Sequence, residues 1–208
     1  MEDVTNLKEQ ITPEEKLKAK HVFKQVLPDI TKDRSLPSSK FIKKYWNQYQ
    51  KKFTSNQNIN GKVFENLIAT TLIREKIMPF YMQAKVAFIP YVSYDFIIYT
   101  CDIGPISLSI KTSLRERWKQ ADLEAVALKY IHRKSKSFVV TLDTNAVRRR
   151  RVDPSQALGI DDYVLADMEE FDEMLKSIKS HQLGLSPKVE VVSSSIIITP
   201  KNYIEFFG

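Results

Sequence analysis

The 208-residue chain has a single cysteine, Cys101, which excludes an intrachain disulfide and an all-cysteine zinc site and fits a reducing compartment. Its three histidines, His21, His132 and His181, stand without metal-ligand spacing. Glycine is almost as scarce. Gly61, Gly104, Gly159, Gly184 and Gly208 lie too far apart for a dinucleotide-binding fingerprint, a Walker-type phosphate loop or a nucleophile elbow, so no nucleotide cofactor is expected. No apolar run is long enough to span a bilayer, and the opening MEDVTNLKEQ is acidic and polar where a secretory signal is basic and then apolar. The expectation is a cytoplasmic protein with no membrane partner.

What the chain does hold is apolar mass and positive charge. Hydrophobic residues at 43% and aromatics at 11% are enough for a packed core and argue against a disordered chain. Lys and Arg outnumber Asp and Glu by 32 to 25, a formal +7, which favours a polyanionic partner such as nucleic acid over an acidic one. An ordinary basic enzyme is the plainer alternative.

The spacing of apolar residues predicts helices over residues 13–27 and 40–53, the second capped by Ser38 or Ser39. The five lysines of the second helix interleave with Phe41, Tyr45, Trp46, Tyr49 and Phe53. That stripe reads as core, with the lysines in water. TSNQNING follows as a polar linker, then a helix over 62–77 with Phe64, Leu67, Ile68, Thr71 and Leu72 on its inner face and Glu65 one residue off it. FYMQAKVAFIPYVSYDFIIYT, the turn CDIGP and the alternating ISLSIKT give a β-hairpin. A helix whose apolar face runs through Leu123, Val126, Ala127 and Tyr130 comes next, then the strand SFVVTLD. DDYVLADM, the amphipathic EEFDEMLKSIK and the β runs VEVVSS and IIITP complete the chain. Residues 1–55 are expected to form a helical N-terminal portion, suited to dimer or DNA contacts and part of the same domain, with 56–208 as its core.

Asp95 is the one acidic residue between Lys85 and Asp102 and stands in SYDFIIYT, an apolar setting that makes an unpaired carboxylate costly. In the returning strand Ser107, Ser109 and Lys111 share one face. With Cys101 to Pro105 as the loop, Thr100 pairs with Ile106 and Lys111 lies opposite Asp95. A structural salt bridge is one reading of that pair. Glu65 on the preceding helix and Glu124 on the following one add acids to the same neighbourhood, and clustered carboxylates beside a lysine suit a hard divalent cation and phosphodiester hydrolysis.

These residues resemble the PD-(D/E)xK nuclease superfamily. NGKVFE, SYDF and SIKTSLRERWKQADLEA stand in that family's order of helix acid, strand Asp, hairpin, strand lysine and helix, over residues 60–143. Two positions depart from the pattern: Tyr94 replaces the usual Pro before the Asp, and Ser109 replaces the usual acid two residues before Lys111. The resemblance is to the branch of type II restriction endonucleases that includes EcoRII, SsoII, PspGI and NgoMIV, in which a helix glutamate, here Glu124, takes over for the lost strand acid. It implies a three-layer α/β fold with a central mixed sheet. It also implies Mg²⁺ held by Asp95 and Glu124, catalysis by Lys111 with Glu65 in support and Ser109 at the vacated position, and a homodimer on double-stranded DNA.

The same resemblance implies base readout by Arg115, Glu116 and Arg117 at a palindromic site containing CC and GG, with Lys119 and Gln120 beside them. Taken alone, that triplet is an ordinary solvated charge run. The run Arg148, Arg149, Arg150 and Arg151 suits phosphate contacts or a solvated loop. A structure-directed repair or transposition nuclease and a non-catalytic DNA-binding module are the alternatives.

Overall fold

The computed structural model describes residues 12–54, 56–115, 117–153, 157–186, 192–194 and 196–207. Apolar residues recurring every three to four positions make α1 (Pro13–Val26), α2 (Ser38–Lys52) and α3 (Gln57–Arg74), which bury Phe23, Phe41, Tyr45, Tyr49, Phe64, Leu67 and Leu72 against one another and against the sheet. One continuous core therefore crosses residue 55. Leu17 of α1 is exposed.

Two local expectations are corrected here. The segment taken as a polar linker is the first turn of α3: the Asn56 side chain accepts from the N–H groups of Asn58 and Ile59, and that cap starts the helix at Gln57. Ser38 and Ser39 do not cap α2, whose N-cap is Pro37. Both serines are buried and bonded at long range, Ser38 Oγ to Glu75 at 2.7 Å and the Ser39 N–H and hydroxyl to Asp172 at 3.0 and 2.5 Å.

Among the described residues a seven-stranded sheet forms. Its order is β5 (Asp162–Leu165), β4 (Lys136–Thr141), β3 (Gly104–Lys111), β2 (Tyr94–Thr100), β1 (Phe80–Val86) and β6 (Val192–Ser193), with β7 (Ile196–Ile198) also on β1. Strands β1, β2 and β3 are antiparallel, whereas β4 and β5 run parallel to β3 through crossovers containing α4 (Arg117–Ile131) and α5 (Thr144–Val152). The alternation of side chains splits the core in two. Phe96, Ile98, Ile106, Leu108, Val140 and Val164 face α1, α3 and α6 (Glu169–Lys179), while Val139, Tyr163 and Leu165 face α4 and α5. The result is the expected mixed sheet between two helical layers, and the short α7 (Tyr203–Phe207) sets Phe207 edge-on against Phe23 of α1.

The hairpin register differs from the sequence reading by two residues. Thr100 pairs with Gly104, and Phe96 with Leu108, so the turn is the three residues Cys101 to Ile103. Gly104 sits at φ +79°, a left-handed conformation that glycine enters without strain, and this tightens the turn. A shift of two preserves which face each side chain takes. Continued by one residue, this register would set Ser109, rather than Lys111, across from Asp95, although the last regular pair is Phe96 with Leu108.

The face of α4 is also reassigned. Trp118, Ala121, Asp122, Ala125 and Leu128 pack inward, whereas Leu123 and Tyr130 are 69% and 83% exposed, Val126 is on the surface and Ala127 is half-buried. The reason is a side chain that hydropathy counts as polar. The buried Asp122 carboxylate accepts the N–H groups of Leu158, Gly159 and Ile160 at 2.7–3.2 Å, which draws its side of the helix inward.

Candidate active site

Strand β2 begins at the end of the sheet where β3, β4 and β5 finish, because it is antiparallel to β3 and the others are parallel to it. Asp95 is the second residue of β2 and Lys111 the last of β3. Regular pairing of the two strands ends at Phe96 and Leu108, and beyond it the Asp95 carboxylate accepts the Ile110 N–H at 2.8 Å. The same oxygen, Oδ2, takes the Lys111 ammonium at 2.6 Å, and both side chains are buried. Two chemistries expected to converge do so, through side chains reaching along the strand end instead of directly across it.

Burial works against the Lys111 ammonium, yet the carboxylates of Asp95, Glu124 and Glu65 outweigh it and hold its pKa above the ordinary lysine value. Glu65, on α3, is also shifted upward, which for a carboxyl favours the neutral form. Its burial raises its pKa first; the Lys62 ammonium at 2.6 Å opposes that, and the charge of Asp95 adds to it. Gln83, which stands across β1 from Asp95, reaches Glu65 at 3.5 Å.

Glu124 approaches from α4. Its Oε1 accepts from Gln120 at 2.8 Å and its backbone carbonyl from the buried Tyr94 hydroxyl at 3.0 Å, so β2 and α4 are tied together at this point. Asp95, Ser109 and Glu124 line one small cavity with Ser107 and Ser137, about 10 Å³ and room for about one water. Ser109 Oγ is buried and without a hydrogen-bond partner. No group of three or more His, Cys, Asp or Glu with metal-holding geometry occurs among the described residues. Two carboxylates and an unsatisfied hydroxyl do fit Mg²⁺, which takes one or two protein carboxylates and completes its shell with water and phosphate oxygens.

The basic residues divide. Arg115 is exposed at φ +25°, Arg117 and Lys119 are exposed on the first turn of α4, and Gln120 is committed to Glu124 instead of a neighbouring backbone. Glu116 lies outside the described residues. The four-arginine run is helical, in α5, and half of it is structurally engaged. Arg150 stacks on the Trp118 ring at 3.8 Å, and Arg151 bonds Glu170 at 2.8 Å and the Tyr163 carbonyl at 2.7 Å. Arg148 and Arg149 remain exposed.

Three participants escaped the sequence reading. Lys62 and Gln83 surround Glu65, and the one signal for Lys62 was its i,i+3 spacing from that acid. Asp143 caps α5 through the Ala146 N–H and accepts the Leu114 N–H at 3.2 Å and the Ser113 hydroxyl at 3.3 Å, so it anchors the loop that leads from Lys111 to Arg115.

No protein-family model matches this chain, and no curated protein matches it in sequence. A solved structure does match. The complex of restriction endonuclease PspGI with its substrate DNA aligns over 85% of this chain and 81% of that one, with a TM-score of 0.51 and 20% sequence identity. At that identity the likeness is one of fold. The chain has the restriction-endonuclease-like α/β fold.

Proposed function

We propose that this protein is a Mg²⁺-dependent type II restriction endonuclease that hydrolyses both strands of DNA at a short palindromic site containing CC and GG. The observation that carries the reading is the buried Asp95–Lys111 pair at the sheet end, with Glu124 and the unsatisfied Ser109 hydroxyl beside it and Glu65 behind. The DNA complex of the similarly folded PspGI supports DNA as the partner.

Asp95 and Glu124 would hold Mg²⁺, which when bound polarises the phosphate and lowers the pKa of a coordinated water. Lys111, whose pKa the surrounding carboxylates raise in the metal-free protein, would act as a cation that orients the attacking water and stabilises charge on the phosphate. The Ser109 hydroxyl, with no protein partner, is placed to bond a water or a phosphate oxygen. Glu65 acts at one remove, holding Lys62 and setting the charge felt by Asp95.

Arg115 and Arg117, four and six residues past Lys111, would reach base edges while the lysine engages the phosphate, and arginine pairs bidentately with guanine O6 and N7. Glu116 between them can accept from cytosine N4. Arg148 and Arg149 lie free on α5 for the backbone. A palindrome is read by two copies related by a two-fold axis, hence a homodimer. Digestion of one plasmid with and without Mg²⁺, followed by sequencing of the ends, tests the reading. Discrete fragments sharing one terminal sequence support it. Cutting directed by branches or nicks, or tight binding without cutting, refutes it in favour of a structure-directed nuclease or a silent DNA-binding module.

A further inference from the structure

The seven residues joining β1 to β2 display two large aromatics in water: Phe88 is 80% exposed and Tyr91 92%. Both have positive φ, 65° and 63°, a region bulky L-residues rarely enter, so the surrounding loop must hold them there. It does so with apolar anchors that alternate with them. Ile89 is buried and its N–H bonds the Val86 carbonyl at 3.1 Å, while Val92 packs beside Tyr81, Tyr94 and Ile97. The strained backbone therefore turns the two rings outward while the residues beside them are pinned to the core. Rings of this kind bury about 150–250 Å² each when they find a partner, and among the described residues both stay exposed.

Position supplies the partner. The loop ends at Tyr94, next to Asp95, on the same end of the sheet as Lys111 and the loop to Arg115, but on the opposite flank from the arginines. Neighbouring strands lie about 4.8 Å apart, so the loop falls within about 10 Å sideways of Lys111, about two to three base steps along a strand of DNA. From Val86 to Tyr94 the segment VAFIPYVSY carries no formal charge, so nothing in it repels a polyanion.

We infer that Phe88 and Tyr91 form an aromatic wedge that packs against the bases of double-stranded DNA beside the cut and unstacks a base step there. Apolar side chains inserted at a step deform the duplex, and the sequence being deformed then contributes to selectivity at positions no arginine reaches. This inference rests on the nuclease reading. It adds a second specificity element on the side of the site opposite Arg115 and Arg117.

The test uses the full chain and a duplex bearing the site mapped from plasmid digestion, with 2-aminopurine at each step flanking the cut and Ca²⁺ in place of Mg²⁺. The wild-type protein raises the fluorescence at one or two of these steps. The Phe88→Ala/Tyr91→Ala protein loses that rise and binds the site about tenfold to a hundredfold more weakly, with unchanged sedimentation. Phe88→Trp and Tyr91→Trp, which keep an aromatic, retain the rise and show quenched indole emission on DNA addition; these two variants also decide the matter should the double alanine variant fail to fold. Equal fluorescence and affinity in the wild type and the double variant, or indole emission blind to DNA, overturns the wedge. A change of sedimentation from dimer to monomer also overturns it, assigning the rings to contact between copies. Absence of any cleavage by the wild type defeats the nuclease reading instead, and indole quenching by random-sequence duplex then tests the loop alone.

Discussion

Replacing Asp95 by alanine removes the acceptor of two donors at once, the Lys111 ammonium at 2.6 Å and the Ile110 N–H at 2.8 Å, with Lys111 just 10% exposed. A buried cation left without its counter-charge costs about 3–5 kcal/mol, a large part of the roughly 5–15 kcal/mol that holds a domain folded. Removing both charges together, as Asp95→Asn/Lys111→Met, which keeps an acceptor for the Ile110 N–H, is expected to recover most of that loss, since neither ion then has to be desolvated. Urea unfolding at neutral pH in EDTA measures this. With a slope of about 2 kcal/mol per molar, the single alanine variant moves the midpoint down by about 2 M while the double variant does not. Asp95→Asn keeps an acceptor for the Ile110 N–H, so it is expected to fold and to lose cleavage, which separates chemistry from stability. A single variant within about 1 kcal/mol of the wild type, or a double variant as unstable as its parts combined, would refute the idea that the pair is coupled and buried.

Burial and the charge of Asp95 raise the Glu65 pKa, so the native state holds a proton the unfolded chain has lost once pH exceeds about 4.5. Metal-free stability therefore declines as pH rises from there through the folded value, and Glu65→Gln is expected to remove that decline; parallel pH profiles for the two proteins would count against it. For Lys111, whose folded pKa is raised, the contribution is complete below the ordinary value of 10.5 and fades as pH climbs through the folded one, so Lys111→Met should narrow its stability gap to the wild type under strongly alkaline conditions. A Cβ on Gly159 would lie 2.3 Å from the Val126 nitrogen, so Gly159→Ala should force the Asp122-bound loop off α4 and lower stability by about 1–3 kcal/mol in a thermal melt. Arg115→Ala and Arg117→Ala are expected to cut cognate cleavage about tenfold to a hundredfold while sparing random-sequence binding, whereas Arg149→Ala should weaken binding to all DNA and flatten its salt dependence; equal losses on both DNAs would make the arginines a phosphate clamp. Asp143→Ala frees the loop before Arg115 and should blunt discrimination between cognate and single-mismatch duplexes, with Asp143→Asn, which still accepts, restoring it.

The elements that the sequence determined by itself are those whose periodicity is strong and local. EEFDEMLKSIK is α6 to the residue, and the alternation of ISLSIK fixed which face of β3 carries Ser109 and Lys111. The order of Glu65, Asp95, Lys111 and Glu124 likewise put the acids and the lysine in one neighbourhood, and the fold brings them together where β2 begins and β3 ends. What lay beyond reach was decided by contacts distant in the chain. Hydropathy turned α4 the wrong way round because it counts Asp122 as polar, and only folding brings the three N–H groups of residues 158–160 to that carboxylate. The hairpin register slipped by two because a tight three-residue turn at Gly104 competes with a longer one, and the two differ in backbone angles, not in composition. Ser38 and Ser39 read as caps, yet their partners Glu75 and Asp172 are 37 and 133 residues away. The pinning of Ser113 and Leu114 by Asp143, the stacking of Arg150 on Trp118 and the outward set of Phe88 and Tyr91 are of the same kind. Local propensity specifies an element and its faces; which polar side chain is buried, and which aromatic is left in water, depends on partners that only the tertiary structure brings together.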